Sequence, residues 1–259
     1  MSLRRSFVAR WLWRYVNGPA PQFAPALAFT AFVAIFPITV GVVSLLLLIT
    51  PGPRVPAAVD RLILEIFPEG TRREIGTLLL AVPRHEKTIV VVSFIAMLWS
   101  GSALFSCLGG ALNAIHGTTG RNMIRQRVVG LRLIGVMIGA LSVVLLLESL
   151  SDQLLPRIPL VGALLAAVPL MMLLGFIYAR APNHKSTPGK VLPGALLATV
   201  GIELVTMAFP VYSRVADTTN LYGRGLGLAL VMLFWLYLVS HLVLLGAAFN
   251  EMRAGAGRA

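Results

Sequence analysis

Long runs of apolar residues are the feature that most limits the folds open to this chain. Six runs of roughly 20 residues recur along it, separated by more polar stretches. A transmembrane helix needs about 20 such residues, whereas the strands of a membrane barrel are about 10 residues long and alternate in polarity. The runs therefore predict an all-α polytopic membrane bundle with six transmembrane helices. The predicted spans cover about 26–49, 88–113, 131–150, 160–179, 192–212 and 226–249.

The composition agrees with a single membrane domain over residues 1–259. Hydrophobic residues make up 57% of the chain and charged residues 12%, against about 45–50% and about 25% in soluble domains. The net charge of +12 would suggest a nucleic-acid partner if the basic residues formed one surface patch. They lie between the apolar runs instead, so we expect no nucleic-acid partner. Cys107 is the single cysteine, which excludes an intrachain disulfide.

The basic residues divide unevenly between the two sides of the predicted bundle. One side carries thirteen of the 22 lysines and arginines and a single acid, Glu251. The nine basic residues of the other side are largely offset by acids. Because cytoplasmic loops carry the excess of basic residues, both termini are predicted to be cytoplasmic.

Two segments outside the spans have patterns of their own. Residues 1–24 are predicted to be a basic, cytoplasmic, interfacial segment, since Leu3, Phe7, Trp11 and Tyr15 recur every four residues among arginines. A flexible basic leader is the alternative. Residues 51–87 hold two apolar stripes, and Thr71 and Glu74 have the spacing of a capping box. This outer loop is predicted to form a pair of amphipathic helices.

Glu203 lies near the middle of the fifth run. A charged residue at the centre of a membrane helix costs about 2.5–3.5 kcal/mol on insertion scales, so intramembrane ionisable groups are candidate functional sites. Thr199, Glu203 and Thr206 share one helix face, which predicts that they line a substrate or proton pathway. The alternative is a neutral Glu203 that hydrogen-bonds a neighbouring helix and serves only the structure.

His241 and Tyr237 lie one turn apart in the sixth run. Because consecutive spans joined by a short loop tend to pack together, a contact between Glu203 and His241, direct or through water, is predicted. In that position His241 would exchange protons near neutral pH. The alternative is a histidine that is satisfied by a backbone carbonyl.

The first two runs carry small and polar residues at helical spacing. Thr30 and Pro37 lie on one face of the first run, and Pro37 is predicted to kink the helix. This face either lines a cavity or shapes packing. In the second run, small residues predict a helix-packing stripe. The stripe consists of Ser93, Ala96, Ser100, Ala103 and Gly110.

The sequence does not favour an enzyme. His85, His116, His184 and His241 fall in separate segments, whereas a metal-dependent hydrolase needs clustered histidine and carboxylate ligands. No serine–histidine–aspartate motif, phosphate loop or zinc spacing is present. We therefore expect a protein that is not an enzyme and has no cofactor or metal.

Short motifs along nearly the whole chain resemble those of the YihY / BrkB family of bacterial inner-membrane proteins, which was once mislabelled as ribonuclease BN. The motifs are Ala26-Leu27-Ala28-Phe29-Thr30 with Phe36-Pro37, then Asn113, Pro193-Gly194-Ala195-Leu196, Tyr222-Gly223, Trp235-Leu236-Tyr237-Leu238 and Leu244-Leu245-Gly246-Ala247-Ala248-Phe249-Asn250. The family commonly has an acid where this chain has Ala248. The resemblance implies a six-helix protein of the bacterial cytoplasmic (inner) membrane, in a family for which lipid or lipopolysaccharide transport and serum resistance have been proposed.

Two functional hypotheses follow. The first is a transporter or flippase-like protein that handles a lipid or amphiphile in envelope biogenesis, with membrane lipids and an amphiphilic substrate as partners. It predicts a cavity lined by Thr30, Thr199 and Glu203. The alternative is a non-transporting envelope scaffold that acts through the outer-loop helices, and it predicts a dense bundle without a cavity.

Overall fold

The computed structural model describes residues 7–49, 87–120, 122, 124–137, 139, 159–183, 186–219 and 223–256. Every regular element in these ranges is helical, so the all-α prediction is confirmed for this part of the chain. The α-helices are α1 (Phe7–Val16), α2 (Ala24–Ile49), α3 (Lys87–Ile115), α4 (124–137), α5 (Pro159–Arg180), α6 (Pro188–Thr219) and α7 (Gly223–Ala256), with a short 3-10 helix, Pro21–Phe23, before α2.

Within the described ranges, four helices are long and apolar enough to cross a membrane. Their spanning segments are Pro21–Gly41, Val91–Ile115, Gly189–Val211 and Ala229–Gly255, which correspond to the first, second, fifth and sixth predicted runs. The fourth run forms α5, in which a shorter apolar helical segment, Ala167–Arg180, is recognised. Most of the third run lies outside the described residues, as does the predicted outer pair over 51–86.

The helices extend beyond the apolar runs that predict them. The third run begins at residue 131, but α4 already begins at 124, because helical hydrogen bonding continues through a basic turn that an apolar pattern does not include. In the same way α7 continues past the predicted end at residue 249 to Ala256.

Local sequence explains where α3 ends and α6 begins. The Gly117 N–H donates to the Ala114 carbonyl and the Thr118 N–H to the Asn113 carbonyl. With Gly117 at a φ of 61°, this is a Schellman C-cap, for which glycine is favoured. The helix α6 begins at Pro188, directly after Thr187. Proline suits the first helical position because its missing N–H would have no partner there.

The long helix α7 is the common packing partner of the bundle. It packs against α1, α2, α3 and α6, while α2 also packs against α3, and α6 also packs against α5. One core cluster includes Leu112, Tyr178 and Leu244, and a second includes Met97, Phe209 and Trp235. The rings of Phe209 and Trp235 meet edge to face, with centroids 6.2 Å apart.

The outer surface of the bundle is apolar. On α3 the exposed side chains include Val91, Ile95 and Trp99, which recur every four residues. The apolar residues of α6 that are exposed form a similar stripe, and they are Leu192, Leu196, Val200, Leu204, Met207 and Val211. Water-soluble proteins rarely leave apolar patches of this extent uncovered, so we expect these surfaces to face lipid.

The helices α6 and α7 come closest at a pair of glycines. A Cβ atom at Gly194 would collide with the Gly246 carbonyl, and one at Gly246 would collide with the Gly194 carbonyl. The Tyr178 hydroxyl of α5 donates to the Val243 carbonyl over 2.7 Å beside this contact. Small residues let membrane helices approach in this way, so three helices meet at one point.

We predict that Gly194→Ala destabilises the protein by about 1–3 kcal/mol, the usual cost of overpacking. The reason is that the added methyl group must push α6 and α7 apart. The measurement is the midpoint of thermal unfolding in detergent. The matched control is Gly110→Ala, where a Cβ atom meets nothing within 4 Å. Equal midpoints for the two variants would show that the glycine contact is not close.

Candidate functional site

Glu203 lies where the buried face of α6 meets its lipid-facing stripe. Its side chain is half-buried. Leu196, Val200 and Met207, which are seven, three and four residues away on the same helix face, are all exposed. The carboxyl group therefore stands at the edge of the bundle, between packed side chains and lipid.

Thr199 and Thr206 flank Glu203 on α6, and their role in a pathway stays a prediction. Thr199 is buried, with 2% of its surface exposed, and its hydroxyl has no hydrogen-bond partner among the described atoms. Thr206 is half-buried. Buried hydroxyls nearly always have a partner in a protein or in water. The Thr199 oxygen is itself buried, so a polar group could reach it only if the helix packing around it opened.

His241 is joined to α1 rather than to Glu203. The Tyr15 Oη and His241 Nδ1 atoms are 2.7 Å apart, a hydrogen bond whose donor depends on the imidazole tautomer. The Tyr237 ring meets the imidazole edge to face at 4.5 Å. The described part of the structure gives His241 no hydrogen bond to Glu203. Their predicted pairing, direct or through water, remains a prediction.

The aromatic stripe of α1 packs along α7. The Trp11 indole donates to the Leu245 carbonyl over 3.3 Å, and the Phe7 and Trp11 rings pack edge to face on Phe249. The predicted helix is thus present, and its position at the cytoplasmic leaflet stays a prediction. Burial raises the pKa of the Tyr15 hydroxyl above its usual value, and Tyr237 adds to the rise, so Tyr15 is neutral at physiological pH.

A different face of α1 remains uncovered. Val8, Leu12 and Val16 recur every four residues and are exposed, as are Arg10 and Arg14. This second apolar face has the character of a helix that lies in a membrane interface.

Thr30 and Pro37 lie on α2, away from the Glu203 face. The Thr30 hydroxyl donates to the Ala26 carbonyl over 2.6 Å and lies within hydrogen-bonding reach of the Cys107 thiol on α3. Pro37 is half-buried inside α2. Whether this face lines a cavity or shapes packing stays open, and the predicted cavity lined by Thr30, Thr199 and Glu203 remains a prediction.

The small-residue stripe of α3 lies beside the closest helix contacts. Its members Ser93, Ala96, Ser100, Ala103 and Gly110 are half-buried. The closest approaches of α3 involve Gly101, where a Cβ would meet the Ile134 side chain at 2.7 Å, and Met97, which lies against Gly41 of α2. A packing role for the stripe stays a prediction.

The two asparagines of the sequence motifs hold neighbouring helices together. The Asn250 Oδ1 atom accepts from the Gly194 N–H over 2.7 Å, and its Nδ2 atom donates to the Val191 carbonyl over 2.9 Å. The Asn113 Oδ1 atom accepts from the Asn183 N–H over 2.6 Å and from the Thr118 hydroxyl over 3.1 Å. Both side chains are buried, so they satisfy backbone groups at the first turns of α6 and after the end of α5.

A polar cleft of about 140 Å³ opens at the end of the bundle where α1 lies, which we call the α1 end. Its polar lining comes from the end of α3, the start of α6 with the residues before it, and the end of α7. These residues are His116, Ser186, Thr187, Lys190, Asn250 and Glu251. The His116 Nε2 and Glu251 Oε2 atoms are 3.6 Å apart, and His116 Nδ1 lies 2.8 Å from the Leu112 carbonyl oxygen.

Sequence reasoning did not find this cleft. It treated His116 as one of four separate histidines and Glu251 only as a charge in the topology count. The two residues are far apart in the chain, and only the packing of α3 on α7 joins them. Within the described ranges, no group of three or more histidine, cysteine or acidic side chains is placed to bind a metal ion. The expectation that the protein is not an enzyme stays a prediction.

The helices and their lipid-facing surfaces define a multi-pass helical membrane protein. The family described as virulence factor BrkB matches residues 12–258, so the chain belongs to that family and the predicted family resemblance is confirmed.

Curated relatives agree with this family. The chain is 30% identical to the ribonuclease-like protein YfkH of Bacillus subtilis (strain 168) over 61% of this chain and 63% of that protein. It is 29% identical to the UPF0761 membrane protein azo3165 of Azoarcus sp. (strain BH72), over 90% of this chain and 60% of the relative. The chain thus spans less than two thirds of the length of these relatives. No solved structure matches it.

We predict that Asn250→Ala lowers the thermal midpoint in detergent. The reason is that the Gly194 N–H and the Val191 carbonyl lose their partner, at about 1–3 kcal/mol for each buried group left unpaired. Asn250→Asp keeps the acceptor but places a carboxylate oxygen against the Val191 carbonyl oxygen, so it is expected to destabilise as well. The control is Asn17→Ala, since Asn17 is exposed and hydrogen-bonds within its own turn. A control that destabilises as much as Asn250→Ala would rule out the bridging role.

Proposed function

We propose that this protein is a transporter of the flippase type for a lipid or amphiphile, in the bacterial inner membrane and with the α1 end cytoplasmic. One observation carries the proposal, namely the position of Glu203 at the lipid-facing edge of α6. An ionisable group at this depth is costly, and a purely structural carboxyl group is better satisfied inside the bundle than at its edge.

The depth of Glu203 suits a group that meets a substrate during passage. It lies eight residues from the end of the span Gly189–Val211, which is about 12 Å along the helix axis. A lipid headgroup that crosses the membrane needs polar partners at such depths. Glu203 supplies one at the bundle edge, and the Thr199 hydroxyl, one turn away on α6, would supply a second if the packing around it opened.

The lipid-facing stripe of α6 supports a path at the protein–lipid boundary. Its exposed residues Leu192, Leu196 and Val200 run from the α1 end towards Glu203. In the proposed mechanism the polar headgroup moves along the edge of α6 while the acyl chains stay in the bilayer beside this stripe. Such a path needs no wide channel through the bundle.

Prolines within α6 support its ability to change shape. Pro193 and Pro210 lie inside this helix, and each removes a backbone hydrogen bond and favours a local bend. They lie on either side of Thr199 and Glu203, so the segment that carries both residues is bounded by two weakened turns.

The prediction is that Glu203→Gln folds normally but moves lipid at least about tenfold more slowly, a barrier change of about 1.4 kcal/mol. The reason is that the amide keeps the size of the side chain and loses its charge and proton exchange. The measurement is the transfer of fluorescent lipid between leaflets in proteoliposomes. Ser100→Ala is the control, since Ser100 donates to the Ala96 carbonyl of its own helix. Equal rates for wild type and Glu203→Gln would reject the role of Glu203.

A further inference from the structure

We propose that the cleft at the α1 end binds a phosphate ester headgroup that also carries an amine, the chemistry of a phosphoethanolamine lipid. This inference rests on the proposed function and names its substrate class and its loading site. The cleft and Glu203 lie on the same helix, α6, with Lys190 thirteen residues before Glu203. A lipid held in the cleft would therefore begin at one end of the path described above.

One wall of the cleft suits a phosphate group. Lys190 supplies a cation, and the hydroxyls of Ser186 and Thr187 supply donors. All three stand at the start of α6, where the helix dipole adds partial positive charge. Lysine binds phosphate as a compact point charge, so this wall offers charge and hydroxyl donors together.

The α7 side of the cleft suits an amine. Glu251 of α7 lines the cleft and, through its contact with His116, is held near the end of α3. A carboxylate would repel a simple phosphate, yet it would bind the ammonium group of a zwitterionic headgroup. Among the described residues at the α1 end, Glu251 is the acidic side chain. Glu251 also borders a neighbouring cleft, which is lined by Arg14. The carboxylate is thus the feature that distinguishes an amine-bearing headgroup from an anionic one.

The surroundings favour a lipid over a free phosphate. The cleft is only about 140 Å³ in volume, so it suits a headgroup and not an acyl chain. Leu192 and Leu196 lie just beyond Lys190 on α6 and are exposed. Because Leu192 lies about 160° around the helix from Lys190, acyl chains of a lipid in the cleft would pass around the first turn of α6 to reach these side chains.

The test is native mass spectrometry of the full chain in mild detergent, equilibrated with equal amounts of phosphatidylethanolamine and phosphatidylglycerol of matched acyl chains. We expect the wild type to retain phosphatidylethanolamine about tenfold better, as a charged hydrogen bond implies. We expect Glu251→Gln to abolish that preference and Lys190→Gln to weaken retention of both lipids. Lys190→Arg and Glu251→Asp keep the charges and should retain the preference.

Controls separate the cleft from general charge effects. Arg180→Gln removes a basic residue at the same end that is exposed and lies over the Phe176 ring, so it should leave retention unchanged. Each variant is compared by thermal midpoint, because a misfolded variant would lose lipid for another reason. Inorganic phosphate should not displace the lipid, and displacement by phosphate alone would assign the cleft to a free anion instead.

The outcomes also separate this inference from the proposed function. Equal retention of the two lipids by the wild type, or a preference unchanged in Glu251→Gln, would overturn the inference even if Glu203→Gln slows transfer. A preference that depends on Glu251, found in a protein without lipid transfer, would support the cleft and reject the transporter.

Discussion

The contact between α6 and α7 is the interaction on which the rest of the bundle depends. At Gly194 and Gly246 the two backbones approach without side chains between them, and Asn250 hydrogen-bonds the Gly194 N–H and the Val191 carbonyl beside this contact. Lipid supplies no replacement hydrogen bonds, so a loosened contact would leave these groups unpaired. The same contact sets the height and rotation of α6, and with them the positions of Lys190 and Glu203.

Because α7 packs against α1, α2, α3 and α6, the position of α6 on α7 also sets where α6 lies relative to the other three helices. The end of α7 binds the aromatic stripe of α1 through Trp11 and Tyr15 and approaches the end of α3 through Glu251 and His116. The polar groups of the α1 end therefore form one connected region, and the apolar stripe of α6 begins at the same end of the helix, on another of its faces. This arrangement is what makes a headgroup site and a lipid path neighbours.

The sequence predicted what depends on pattern along the chain. Of the six apolar runs, four correspond to described helices that are long enough to span a membrane. The four-residue repeat of Phe7, Trp11 and Tyr15 lies in the helix α1. The sequence did not predict the contacts of Tyr15 with His241, 226 positions apart, or of His116 with Glu251. Such pairs depend on which helices become neighbours, and in an all-apolar bundle many pairings bury similar surface. Asn113 and Asn250 were recognised as motif residues, but their partners are backbone groups that no side-chain pattern marks.

The glycine contact is also the point about which α6 would tilt, because the two backbones are closest there. Gly194 lies four residues from Lys190 and nine from Glu203, or about 6 Å and about 13 Å along the axis. A tilt of about 10° around this point would shift Lys190 by about 1 Å. Glu203 is farther from the contact and would shift by about 2 Å in the opposite direction. If α6 tilts while staying straight through Pro193, a small adjustment at the cleft would therefore accompany a displacement about twice as large at Glu203.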